Sequence, residues 1–126
     1  MFSDENKKKA SNSNGKYLSN TTLIGSNSTI TGHINCQGDI RIDGIVNGNI
    51  VSDGKVVIGT EAKVNGNVNS EKADIFGYVK GDINVVDKLR ILDKANLIGD
   101  ITTSHLCVEE TAFFIGVCNM EKGSKK

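Results

Sequence analysis

Val46-Asn47-Gly48-Asn49-Ile50 returns almost unchanged 18 residues later as Val64-Asn65-Gly66-Asn67-Val68. The shared word is apolar, any, Gly, any, apolar. It stands four more times, at Ile30-Thr31-Gly32-His33-Ile34, Val79-Lys80-Gly81-Asp82-Ile83, Leu97-Ile98-Gly99-Asp100-Ile101 and Phe114-Ile115-Gly116-Val117-Cys118. The six glycines are separated by 16, 18, 15, 18 and 17 residues. A self-similar period of this kind is the mark of a repeat architecture.

Further columns extend the alignment upstream. Four residues before each glycine stands a small residue: Ser28, Gly44, Ala62, Gly77, Ala95, Ala112. Eight before it stands a mostly aliphatic series: Ile24, Ile40, Ile58, Ala73, Ile91, Val108. Within each copy apolar residues alternate with polar ones, which is the period of a strand with one face inward. Short strands broken by Gly, Asn, Asp and Ser suit a chain that turns corners. One such unit has too little to bury its inward residues, so copies must stack. A strand-only repeat of about 17 residues predicts a β-solenoid of about six coils. At about 4.8 Å per coil the rod is roughly 29 Å long. Ile30, Ile34, Val46, Ile50, Val64, Val68, Val79, Ile83, Leu97 and Ile101 are its expected core, and the small column lies where the interior narrows or at a corner. A longer period overlies this one. Ile42-Asp43-Gly44 resembles Ile75-Phe76-Gly77, whereas the copies that alternate with them carry polar corners at Thr60 and Asp93, as does the last at Glu110.

Composition supports a narrow core. Only 37% of the 126 residues are hydrophobic, below the usual globular share. There is no Pro, as expected where most strands are paired on both sides. Residues 1–20 and 119–126 read as disordered tails around a body at 21–118. Each tail has a net charge of +2 and the body −4, for a total of zero. Zero net charge with few aromatic residues argues against nucleic acid as a partner. No secretory signal or membrane-spanning run is visible. The three cysteines, Cys36, Cys107 and Cys118, form no CxxC pair and read as reduced thiols of a cytoplasmic protein.

A solenoid ends in unpaired strand edges, which natural repeats cover with a cap. Here the first coil leaves directly from a polar tail, and the last contains Phe113-Phe114-Ile115 ahead of a short polar one. Uncapped, apolar ends predict end-to-end stacking into an open filament. The expected contact residues are Phe113, Phe114, Ile115 and Leu106 at one end and Leu23 and Ile24 at the other.

With Asp39-Ile-Arg-Ile-Asp-Gly44, the Val56-Val-Ile-Gly59 strand, the six-fold ladder and a Met1-Phe2 start before a Lys-containing tail, the chain resembles the bactofilins, bacterial cytoskeletal proteins. The resemblance spans about residues 20–118. It implies a right-handed β-helix of six windings, an all-β fold, with a filament contact at the apolar last coil. It also implies nonpolar filaments formed head-to-head and tail-to-tail without nucleotide, and membrane association through the extreme N-terminus. A role in cell shape, polarity or positioning of envelope and cell-wall enzymes follows from the same source. The chain departs from many members in lacking Pro-rich tails.

Other chemistries fit less well. Left-handed β-helix acyltransferases, which assemble as trimers, need a rigid spacing of 18 and a catalytic His. The spacing here slips, and His33 and His105 read as solvated surface residues, His105 in a turn. Gly77-Tyr-Val-Lys-Gly81 lacks the Gly-Lys-Ser/Thr of a phosphate loop. No calcium-roll nonapeptide is present, and the acidic corners read as a solvated face. No cofactor or metal is expected. Phe2 with Lys7, Lys8 and Lys9 is the expected contact with the inner leaflet of the membrane, together with Met1, weak for one chain and strengthened by many copies in a filament.

Overall fold

A computed structural model of the protein describes residues 21–120. They form six coils of three strands each, every inter-coil pairing parallel. Coil 1 holds β1 (Thr21–Ile24), β2 (Thr29–Thr31) and β3 (Ile34–Cys36). Coil 2 holds β4 (Asp39–Ile42), β5 (Ile45–Asn47) and β6 (Ile50–Ser52), and coil 3 opens with β7 (Lys55–Ile58) and β8 (Lys63–Asn65). Three long strands then pass from one coil into the next: β9 (Val68–Ile75), β11 (Ile83–Ile91) and β13 (Ile101–Val108). Between and after them lie β10 (Tyr78–Lys80), β12 (Asn96–Ile98), β14 (Phe113–Ile115) and β15 (Cys118–Met120). Pairing through Met120 carries the body two residues past the boundary expected at 118. No helix occurs among the described residues, and so none long and apolar enough to cross a membrane.

The coils stack into a three-faced rod. The first face is β1-β4-β7 continued by the second halves of β9, β11 and β13. The second is the six-stranded sheet β2-β5-β8-β10-β12-β14. The third is β3-β6 continued by the first halves of the long strands and β15. Because side chains alternate, each face sends a column of residues inward. On the second face this column is Ile30, Val46, Val64, Val79, Leu97, Phe114, and on the third it begins with Ile34, Ile50, Val68, Ile83, Ile101, Cys118. The expected core residues of coils 2 to 5 are buried, while Ile30 and Ile34 are half-buried because no described residue stacks on the outer side of coil 1.

The first face corrects the sequence alignment. Ile24, Ile40, Ile58, Ala73, Ile91 and Val108 are not one column. Ile24, Ile42, Ile58, Ile75, Ile91 and Val108 stack together, and Ile40 and Ala73 belong to the neighbouring ladder with Val56, Leu89 and Leu106. The cause is a corner of two lengths. Coils 2 and 4 turn with two residues, Asp43-Gly44 and Phe76-Gly77, where coils 3 and 5 use four. A β-carbon on Gly44 or Gly77 would run into carbonyl oxygens of the coil before it, which is why the short corners require glycine. At the repeat glycine the demand is doubled. Gly48 has φ +153°, and a β-carbon there would collide with the Gly32 carbonyl.

Candidate functional site

A strand whose neighbour lies on one side only keeps a row of free N–H and C=O groups. In this rod the rows are at the two ends: β1, β2 and β3 at the first, and the second half of β13 with β14 and β15 at the last. The first end shows Ile24, Ile30, Ile34 and Cys36, and the last shows Leu106, Val108, Phe114 and Cys118, all continuing inward columns. Both ends are therefore open sections through an apolar core, and no capping element covers them among the described residues.

The structure divides the expected contact residues in two. Ile24, Leu106 and Phe114 lie in the inward columns at the open ends. Phe113 and Ile115 instead point sideways from the second face, each 52% exposed, and Leu23 points sideways from the first, 65% exposed. The reason is strand alternation: in Phe113-Phe114-Ile115 only the middle side chain can face the core. Met1, Phe2, Lys7, Lys8 and Lys9 lie outside the described residues. Cys36 and Cys118 are half-buried at opposite ends and Cys107 is exposed, all as free thiols. His33 and His105 are exposed, and His105 sits in β13, where the long strand replaces the expected turn.

A polar ladder missed by sequence reasoning runs along the corner that follows each repeat glycine. The Asn67 N–H donates to Asn49 Oδ1 at 2.9 Å and the Asp82 N–H to Asn67 Oδ1 at 2.9 Å. The Asp100 N–H donates to Asp82 Oδ1 and the Val117 N–H to Asp100 Oδ1, both at 3.2 Å. At the start, the Asn49 N–H donates to His33 Nδ1 at 3.3 Å. Each coil thus supplies the acceptor for the next, and the series stops at Val117, which has none. These residues read from the sequence as solvated corners. Their signal was the placement of His, Asn or Asp directly after the glycine in five of six copies.

Across the outer first face, Asp74 joins three coils. Arg90 donates to both its oxygens at 2.9 and 2.7 Å, and Lys55 Nζ lies 2.9 Å away. Arg90 first, with Lys55, holds the Asp74 carboxyl below its ordinary pKa, although burial opposes them. This is a structural clamp with its partners satisfied. A shallow groove of about 320 Å³ on the third face is lined by Val51, Asn69, Glu71, Asn84 and Val86 among others. Its two hydroxyls, Ser52 and Ser70, donate to the Gly38 and Lys72 carbonyls and not to the neighbouring Asp53 or Glu71, so no nucleophile is paired with a base there. Among the described residues no three His, Cys, Asp or Glu side chains cluster to hold a metal.

Residues 22–119 match a family model described as Bactofilin, polymer-forming cytoskeletal. The chain is 28% identical over 100 residues to bactofilin BacO of Myxococcus xanthus (strain DK1622), covering 79% of each. It is 24% identical over 99 residues to BacP of the same strain, covering 79% of this chain and 41% of BacP. Among solved structures it is similar to the Thermus thermophilus bactofilin seen by cryo-EM in double helical filaments. The TM-score is 0.76 and the identity 28%, over 79% of this chain and 99% of that one. It is also similar to the cytoskeletal bactofilin BacA determined by solid-state NMR, with TM-score 0.72 and 30% identity over 81% and 97% of the two chains.

Proposed function

This chain belongs to the bactofilin family of polymer-forming cytoskeletal proteins, which are structural rather than enzymatic, and we propose that it builds nonpolar filaments without nucleotide by apposing its uncapped coils end to end. The acyltransferase alternative falls with that membership. Filament formation is the family's property. The nucleotide independence, the contact residues and the polarity are our reading for this chain.

The observation that carries the reading is the pair of open ends. Each presents apolar columns beside a free strand edge, so a second copy both removes apolar surface from water and pairs backbone groups. The corner ladder gives a head-to-tail joint no advantage over the nonpolar arrangement. A head-to-tail joint would set the His33 N–H of one copy against Val117 of the next, which offers no acceptor. A tail-to-tail joint apposes Phe114, Leu106 and Cys118 with the same residues of a second copy and leaves no such N–H, while the head-to-head joint that alternates with it carries two His33 N–H groups, so apolar contact at the ends is what the nonpolar reading rests on. The head-to-head joint then uses Ile24, Ile30 and Ile34. Filaments of this kind serve as a cytoplasmic scaffold for cell shape or for positioning envelope and cell-wall enzymes. Met1, Phe2 and Lys7 to Lys9 hold them to the inner leaflet. By analogy with the Thermus thermophilus protein, the filaments are paired.

The test is electron microscopy of the purified protein with neither nucleotide nor metal added. Long unbranched filaments are expected. Discrete particles at concentrations well above the micromolar range would reject the reading.

A further inference from the structure

The two ends account for growth along the rod but leave three faces exposed, and these differ in chemistry. The outer side of the second face is formed by the first and third residues of six three-residue strands. From coil 1 to coil 6 these pairs are Thr29 and Thr31, Ile45 and Asn47, Lys63 and Asn65, Tyr78 and Lys80, Asn96 and Ile98, Phe113 and Ile115. No carboxylate stands among them. Ile45 is 37% exposed and Phe113 and Ile115 more so. The first face, by contrast, is laced with ion pairs around Asp74, and the third shows mainly asparagines.

Resting on the reading that the filaments are paired, we propose that the second face is the surface by which two filaments lie side by side, its occupant being the same face of a second copy. Side-by-side packing about a two-fold along the rod sets the first residue of each row against the third of the partner's. Phe113 then meets the partner's Ile115, and Tyr78 meets the partner's Lys80. Lys63 meets the partner's Asn65. No lysine stands directly opposite a lysine, and Lys80 and the partner's Lys63 are offset by one coil, about 4.8 Å along the rod. Tyr78 already accepts a cation over its ring, with Lys63 Nζ 5.6 Å from the centroid, and the partner's Lys80 repeats that chemistry from the other side. A lipid surface is the other candidate for an apolar face with lysines. It is disfavoured because the corners bounding this face carry seven carboxylates, from Asp43 to Glu110, against Lys94 alone.

The size of the face explains why pairing belongs to the polymer. Six strands at about 4.8 Å by three residues give a footprint of about 300 Å² per copy. Two such footprints fall well short of the roughly 1,200 Å² of a stable free-standing complex. Linked end to end, many weak contacts act together.

The test uses the full chain with Ile45→Lys and Tyr78→Lys combined, both outward positions that lie outside the terminal coils. Filament width is read by electron microscopy, polymer mass by pelleting, and lipid binding by flotation with phosphatidylglycerol vesicles. Wild type should give paired filaments. The double variant should give single filaments of half the width with the pelleted fraction unchanged. Asn84→Lys, on the third face, should remain paired. Wild-type filaments that are single, or a double variant that stays paired, would overturn the assignment, as would pairs that split in Asn84→Lys. A double variant that stays paired while its vesicle binding rises would identify the face as a lipid surface instead. A wild type that forms no filaments at all would reject the end-to-end reading, an outcome distinct from each of these.

Discussion

Phe114 separates an end-on joint from a merely apolar chain terminus. It closes the inward column of the second face on top of Leu97 and has nothing stacked beyond it among the described residues. In a tail-to-tail joint it meets the Phe114 of a second copy. If half of the roughly 200 Å² that a Phe side chain buries is still wet in the monomer, the joint removes about 100 Å² from water. At about 25 cal/mol per Å² that contributes about 2.5 kcal/mol, and two-fold symmetry counts it twice. The resulting ~5 kcal/mol corresponds to between three and four powers of ten in the association constant of one joint. Phe114→Ala should therefore raise the critical concentration for pelleting by orders of magnitude. Phe114→Arg adds an uncompensated charge to a dry contact, about 3–5 kcal/mol more, and should leave no elongated polymer. The neighbouring Phe113→Arg is the control. Its side chain points sideways, so its effect on critical concentration should be much smaller although it is the same substitution one residue away. Circular dichroism melting of the variants checks that the rod itself persists. The reasoning is refuted if Phe114→Arg assembles at the wild-type critical concentration, or if Phe113→Arg proves the more damaging of the two.

Three further outcomes follow from particular contacts. Asp74 is ionised more readily in the fold than in the unfolded chain because Arg90 and Lys55 hold it. Its contribution is thus fully present above the unfolded carboxylate value of about 3.9 and is lost as pH falls through the lower folded value. Acid titration of melting temperature should show a steeper loss for wild type than for Asp74→Asn, and equal slopes would remove the clamp from the account. Gly48→Ala should lower the melting temperature sharply, because its β-carbon meets backbone of the preceding coil at φ +153°; an unchanged melt would contradict the stacking geometry. Deleting residues 1–9 should abolish flotation of assembled filaments with anionic vesicles while leaving assembly intact, and unchanged flotation would reject the tail as membrane contact.

The coil number and the inward positions on the second and third faces were legible in the sequence because both are periodic. A glycine with φ near +150° stacked on the glycine of the next coil leaves a mark every 15 to 18 residues, and the apolar residue two places to either side follows from strand alternation. Reading upstream failed where the period breaks. Counting eight residues back from Gly48 reaches Ile40, yet the residue stacked between Ile24 and Ile58 is Ile42, because the corner at Asp43-Gly44 is two residues shorter. Ile42-Asp43-Gly44 and Ile75-Phe76-Gly77 announced that shorter corner, and aligning columns by fixed offset overrode them. At finer scale the strand divides the terminal cluster. Phe113-Phe114-Ile115 registers as one apolar cluster in composition, but a strand splits it, one side chain to the end of the rod and two to its flank.

The corner ladder shows why the remainder was hidden. An Asn or Asp in a turn is favoured for local reasons, since its side chain can bond its own backbone and tolerates unusual dihedral angles. Sequence alone assigns Asn49, Asn67, Asp82 and Asp100 to that role. In the rod their acceptor oxygens reach the next coil instead, a contact across 15 to 18 residues that only stacking creates. The interaction has a direction, each coil serving its successor, so the rod has chemically distinct ends even though both are apolar. Val117 is where that direction becomes functional. An acceptor there would let a first coil continue the ladder head to tail and recover the roughly 1–3 kcal/mol that an unpaired buried N–H costs, whereas valine gives that joint no such advantage over a head-to-head one. The discriminating substitution is therefore Val117→Asn. If the absence of an acceptor helps to enforce tail-to-tail joints, restoring one should admit head-to-tail joints and mixed polarity within single filaments, resolved by image averaging. Filaments that remain strictly nonpolar would show that the apolar columns alone set the orientation.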